Sequence, residues 1–225
     1  MHEKELNRAT TEVVDSNPEI SVIGPNIIFS GANIHIDSAS GSTDDNGNRT
    51  GLGNLIIGYD EAPGSQPLTG FPLNPGDRGG SHNLVIGRFN RFTQAAFGGL
   101  VAGEVNTISN VSASVTGGDQ NAATGAHSTV NGGEANTAGQ WASVSGGDFS
   151  TASGLYTSVS GGANNTASGY GASVSGGLLN ISSAAETSVL GGAANNANFF
   201  ESVVIGGHNV TNQAGISIAP QPPFP

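Results

Sequence analysis

Gly161-Gly-Ala-Asn-Asn-Thr-Ala-Ser-Gly-Tyr-Gly-Ala-Ser-Val-Ser175 is one full unit of a repeat that runs through most of the chain. It holds two short alternating stretches, each closed by glycine. Glycine pairs stand at 117-118, 132-133, 146-147, 161-162, 176-177, 191-192 and 206-207, spaced 15, 14, 15, 15, 15 and 15 residues apart. The same register extends back through Ala102-Gly103 and Ile86-Gly87, and Ile57-Gly58 opens an earlier unit. A fixed period of this length, with period-2 alternation inside it, predicts one coil of a solenoid per unit. Glycine supplies positive φ or close backbone approach at the corners. Successive coils then pair as parallel strands about 4.8 Å apart, so the eight steps from Ile86 to Gly206 span about 38 Å. The fold class expected is all-β, a parallel β-solenoid or β-roll of about 15-residue coils.

Stacking the units produces columns. Two residues before each anchor lies an aliphatic residue: Leu55, Leu84 and Leu100, then Val115, Val130, Val144, Val159, Val174, Val189 and Val204. This is the expected solenoid core. Its Val, Ala and Gly residues make a thin interior, so the column is expected to pack against other chains too, most simply in a trimer about the solenoid axis. Three residues after the second anchor lie Asn90, Asn106, Asn121, Asn136, Ser150, Asn165, Asn180 and Asn195. Identical amides one strand apart can bond amide to amide, so an Asn ladder is expected here.

Composition narrows the function classes. The chain has 225 residues, 36 glycines, 10% charged residues, no cysteine and a formal net charge of −11. Lys4 is the only lysine, and no Lys or Arg follows Arg91. Nucleic-acid binding needs a basic patch to displace counterions from phosphate, and none is offered. Anionic membrane surfaces are excluded on the same ground, and no apolar run reaches transmembrane length. Without Cys there is no disulfide framework and no thiolate metal site. Neither a signal peptide nor a heptad stalk is read from the sequence.

The unit Ala-Ser-Val-Ser-Gly-Gly-x-x-Asn-Thr-Ala-Ser-Gly recurs at 142–154, with Ser150 in the Asn place, and at 157–169. It resembles the head repeats of trimeric autotransporter adhesins, the YadA-like, haemagglutinin-type left-handed parallel β-rolls. Asn54-Leu-Ile-Ile-Gly58, Asn83-Leu-Val-Ile-Gly87 and Ser202-Val-Val-Ile-Gly206 resemble the core motif of that family. The resemblance covers roughly 81–218. It implies a homotrimeric, surface-exposed fibre head that binds host or matrix molecules. The period here is longer than that family's usual unit, and glycine replaces its second aliphatic residue in most coils.

Five segments are expected: a polar arm over 1–20, entry strands and a first coil over 21–58, a Pro-rich insertion over 59–80, solenoid repeats over 81–218, and a Pro-rich tail over 219–225. The alternation that predicts entry strands runs through 21–37. The tail, entered at Pro220, cannot continue a ladder because proline lacks the donor. The last coil is therefore expected to present an edge to another subunit, giving an end-to-end filament.

Three candidate sites emerge. Asp44, Asn46 and Asn48 place oxygens at alternate positions, as in the start of a calcium loop, but without a downstream bidentate Glu; a plain polar turn is the other reading. Glu104, Asp119, Glu134 and Asp148 follow the anchors of four successive coils, as a solvated edge or a cation ladder. Eight residues after each second anchor lie Val111, Ala126, Trp141, Leu155, Tyr170, Ala185 and Phe200. This stripe serves either packing between protomers or contact with a glycan or protein. His2, His35, His82, His127 and His208 lack metal-ligand spacing, and no nucleophile elbow is present, so no catalytic residue and no cofactor other than calcium is expected. The leading reading is a non-enzymatic extracellular structural or adhesive fibre; the alternative is a phage tail-fibre or receptor-binding protein.

Overall fold

The computed structural model describes residues 19–23, 25–61, 78–212 and 218–219. Most of the polar arm, of the Pro-rich insertion and of the tail lies outside them. The chain divides into two units, Met1–His35 and Ile36–Pro225. In the first, Glu19–Ile23 pairs antiparallel with Asn26–Ser30 as a hairpin. The alternation read over 21–37 continues past Ser30, yet residues 32–37 form no strand, so His35 and Asp37 share no strand face.

The second unit is a parallel β-solenoid. One sheet has eleven strands, beginning at Leu55–Ile57 and ending at Ile218–Ala219; the other has nine, from Arg91–Phe92 to Thr211–Asn212. Every pairing in both sheets is parallel, and among the described residues consecutive strands alternate between the two sheets from Leu84–Arg88 onward, Leu55–Ile57 pairing directly with Leu84–Arg88. We call them the valine and alanine sheets after their inward residues. Most strands are two residues long, because a coil of about 15 residues must also turn its corners.

Four columns point inward. Val115, Val130, Val144, Val159, Val174, Val189 and Val204 are each 0–1% exposed. Ala123, Ala138, Ala152, Ala167 and Ala197 are fully buried opposite them. The Asn column fills one corner, and small residues such as Ala113, Ser128, Ala142, Thr157 and Thr187 fill the other. The valines are thus sealed within a single chain. The expectation that their column also packs against other chains is corrected: the solenoid closes on itself with small side chains, leaving no valine surface for a partner.

The early coils differ in register. Leu55, Leu84 and Leu100 align with Ser114 rather than with Val115; Ile56, Val85 and Val101 continue the valine column. Leu84–Arg88 and Leu100–Glu104 continue as strands through the corner, whereas later coils carry one more residue there, first between Val115 and Asp119. Counting back from the glycines therefore misassigned the three leucines, which face outward.

The second glycine of each pair is required. At Gly162, φ is +80° and a Cβ would lie 2.2 Å from the Gly177 carbonyl oxygen of the next coil. A Cβ on Gly161 would meet open space. Elsewhere the left-handed corner positions are held mostly by other residues, among them Gln120, Ala135, Asn164 and Leu179.

Candidate functional site

The Asn column is a side-chain-to-backbone staple, not an amide-to-amide ladder. The Asn165 Nδ2 donates to Gly161 O at 2.8 Å in its own coil and to Gly177 O at 2.9 Å in the next. Its Oδ1 accepts the Asn180 N–H at 3.0 Å. The same pattern recurs at Asn106, Asn121, Asn136, Asn180 and Asn195. An amide carries two donors and an acceptor, so one Asn satisfies a buried corner and locks the following coil to it. Ser150 substitutes in part: its Oγ accepts the Asn165 N–H at 3.2 Å.

The exposed ring corner is built just before each small inward residue. His127, Trp141 and Tyr156 all take left-handed φ, at 57°, 56° and 60°. Their backbone is set by the stack: His127 N–H donates to Val111 O at 2.9 Å and Trp141 N–H to Ala126 O at 3.0 Å. Left-handed geometry costs an L-residue roughly 1–3 kcal/mol. Because Ser112, Glu186 and Glu201 adopt it at equivalent places, coil architecture imposes it, and the side chain is free to vary.

Counting from the glycines put Trp141 in line with Leu155, Tyr170 and Phe200. The hydrogen-bond register instead puts it with His127 and Tyr156, because Val130 to Val144 is a step of 14 while Val144 to Val159 is one of 15. Leu155, Tyr170 and Phe200 sit one residue earlier in their coils. The missed signal was local: Ala-His-Ser, Gln-Trp-Ala and Leu-Tyr-Thr each place a ring directly before a buried small residue.

The rings contact one another along the stack. His127 stacks on Trp141 with centroids 4.2 Å apart; Trp141 and Tyr156 are 6.0 Å apart, and Tyr156 meets Tyr170 edge-on at 5.7 Å. Trp141, Tyr156 and Tyr170 remain 44%, 53% and 53% exposed, and Phe199 and Phe200 lie further along. Glu186 and Glu201 continue the column toward the last coils.

The acidic column is stacked as expected, with Glu104, Asp119, Glu134 and Asp148 joined by successive parallel bridges. Arg88 pairs with Glu104 at 2.8 Å, and the Gln120 amide donates to Asp119 at 3.0 Å. Asp44, Asn46 and Asn48 form a closed turn. The Asp44 carboxylate accepts from Ser42 Oγ and from the Asn46 N–H, and those bonds hold its carboxyl below the ordinary range. The Asn46 amide turns to Ser40 O, and Asn48 N–H donates to Asp45 O. Among the described residues, no three or more His, Asp or Glu side chains are grouped to hold a metal ion.

Asp45, which the motif reading passed over, is the buried carboxylate of that loop at 3% exposure. It accepts from Ser38 Oγ, from Thr50 N at 2.9 Å and from Thr50 Oγ1 at 3.0 Å. Thr50 and Gly51 in turn donate to Ser81 Oγ, which fastens the loop to the first coils.

No protein-family model and no curated protein matches the chain. Among the described residues, no helix is long and apolar enough to cross a membrane.

Proposed function

We propose that this chain is a non-enzymatic structural and adhesive fibre module, working outside the cell or at a cell surface as a homotrimer, with its ring corner offered to a glycan or protein ligand. The observation that carries this reading is the division between inside and outside. Valine, alanine, asparagine and small corner residues bind coil to coil in most units. Equivalent outward positions vary freely: His127, Trp141, Tyr156, Gly171 and Glu186 occupy one backbone site in successive coils. A rod whose surface changes without touching its core suits display along a fibre. The repeat motif's likeness to trimeric adhesin heads supports the trimer and the adhesive role.

Light scattering on the full chain should give three chains per particle, and binding to a glycan or matrix-protein array should fall when Trp141→Ala and Tyr156→Ala are combined. A folded monomer at micromolar concentration overturns the trimer; array binding that the double variant leaves intact overturns the ring corner as the contact. End-to-end filaments are a second arrangement. Among the described residues, Leu55–Ile57 and Ile218–Ala219 each pair on one side only, and the two ends of a parallel sheet are complementary. Negative-stain images separate short rods from filaments.

A further inference from the structure

The outer face of the eleven-stranded valine sheet changes character along its length. In the first three coils its outward side chains include Leu55, Ile57, Leu84, Ile86 and Leu100. Through the strands from Ser114–Val115 to Ser173–Val174, the same positions hold only Ser, Thr and Asn. Apolar residues then return at Leu190, Val203 and Ile205. Leu55, Ile57, Leu190 and Ile205 are 46%, 53%, 51% and 49% exposed. The only charged side chains at the ends of these strands are Arg88 and Glu104, which pair with each other at 2.8 Å; the other outward positions are uncharged, in a chain of net charge −11.

We infer that this face is the seam on which a second copy of the chain docks. The inference rests on the self-assembling reading above and adds to it the surface used. Charge selects the partner. Copies meeting on the acidic column, or on the corner bearing Glu186 and Glu201, bring carboxylates together without cations to match, since no Lys or Arg follows Arg91. On the valine-sheet face the only charges are the mutually paired Arg88 and Glu104. Pattern selects it as well. Another copy presents apolar ends and a serine-rich middle at the same strand spacing, and small serines let two sheets close. Area is sufficient. Ten steps between eleven strands, at about 4.8 Å each, and a width of three residues give roughly 500 Å² per copy. Two copies bury about 1,000 Å², the lower bound for a specific interface. The outward face of the alanine sheet carries Thr137, Thr151 and Thr166, one large apolar residue, Ile181, in its interior, and Arg91 and Thr211 at its ends.

Sedimentation velocity on the full chain tests the seam. Ile57→Glu and Ile205→Glu should each weaken association at least about tenfold, because like charges then oppose or a charge is buried. Leu190→Ser and Ile205→Ser give the residue that Ser145 and Ser160 already carry at that position, so the coil tolerates them; they should weaken association less but measurably. Thr151→Glu on the other sheet should leave it unchanged, and circular dichroism should match the parent throughout. Mixing Ile205→Glu with Ile205→Lys restores assembly if copies run parallel, as a trimer requires; mixing Ile205→Glu with Ile57→Lys restores it if they run antiparallel, which keeps the seam and overturns the trimer. Rescue by neither mixture, or association indifferent to all the seam variants, overturns the face while leaving assembly standing. A parent chain that stays a folded monomer overturns self-assembly itself, and the seam with it.

Discussion

Asn165→Ala is the sharpest probe of what holds the coils together. The side chain is fully buried, donates to Gly161 O and Gly177 O, and accepts the Asn180 N–H. Gly177 O keeps a second partner, the Ala163 N–H at 2.9 Å, so it is not orphaned. The Asn180 N–H loses its acceptor, and a buried unpaired donor costs about 1–3 kcal/mol, with about 1 kcal/mol more for the donated bonds. The total is about 2–4 kcal/mol. Asn165→Ser should cost about 1–2 kcal/mol, because a serine Oγ can still accept, as Ser150 Oγ does from the Asn165 N–H. The reciprocal change, Ser150→Asn, supplies a staple that one coil lacks and should stabilise by about 1 kcal/mol. Urea unfolding followed by circular dichroism, with an unchanged slope, reads all three. Asn165→Ala within about 0.5 kcal/mol of the parent, or serine as damaging as alanine, would refute the staple as the source of coil-to-coil cohesion.

Three other outcomes are expected. Val159→Asp puts a charge at a position 1% exposed and should cost more than about 4 kcal/mol in a urea melt, whereas Ser160→Asp, on the exposed neighbour, should stay within about 1 kcal/mol; equal losses would mean the faces are reversed. Gly162→Ala should destabilise by several kcal/mol, from a Cβ 2.2 Å from the Gly177 carbonyl oxygen and a φ of +80°, while Gly161→Ala, which meets open space, should be nearly neutral; the two melting curves coinciding would remove the close-approach argument. Asp45 is held below its ordinary 3.8, chiefly by the Ser38 hydroxyl and then by Ser81 and Thr50. A depressed folded-state pKa contributes stability above the unfolded value and loses it as pH falls, so stability should decline below about pH 4, and Asp45→Asn should flatten that acid limb; an unchanged limb counts against the loop as a fastening.

The repeat was legible because its period and its valine column are both written in residues that have no other use. Two things were not. Register across coils of unequal length cannot be counted from an anchor: one residue added between Val115 and Asp119 moved Leu55, Leu84 and Leu100 from the inside to the outside, and one removed before Trp141 shifted it by one place. Hydrogen bonds fix such shifts, and periodicity alone does not. The thinness of the core was also misjudged. Residues small enough to look insufficient are what let two sheets of two-residue strands close on each other, with asparagine supplying through hydrogen bonds the cohesion that a larger apolar core would give. The proposed partner surface therefore moves from the inside of the coil to its outside. There the sequence carries leucines and isoleucines toward both ends of one sheet face, a pattern readable only once register had shown which way those side chains point.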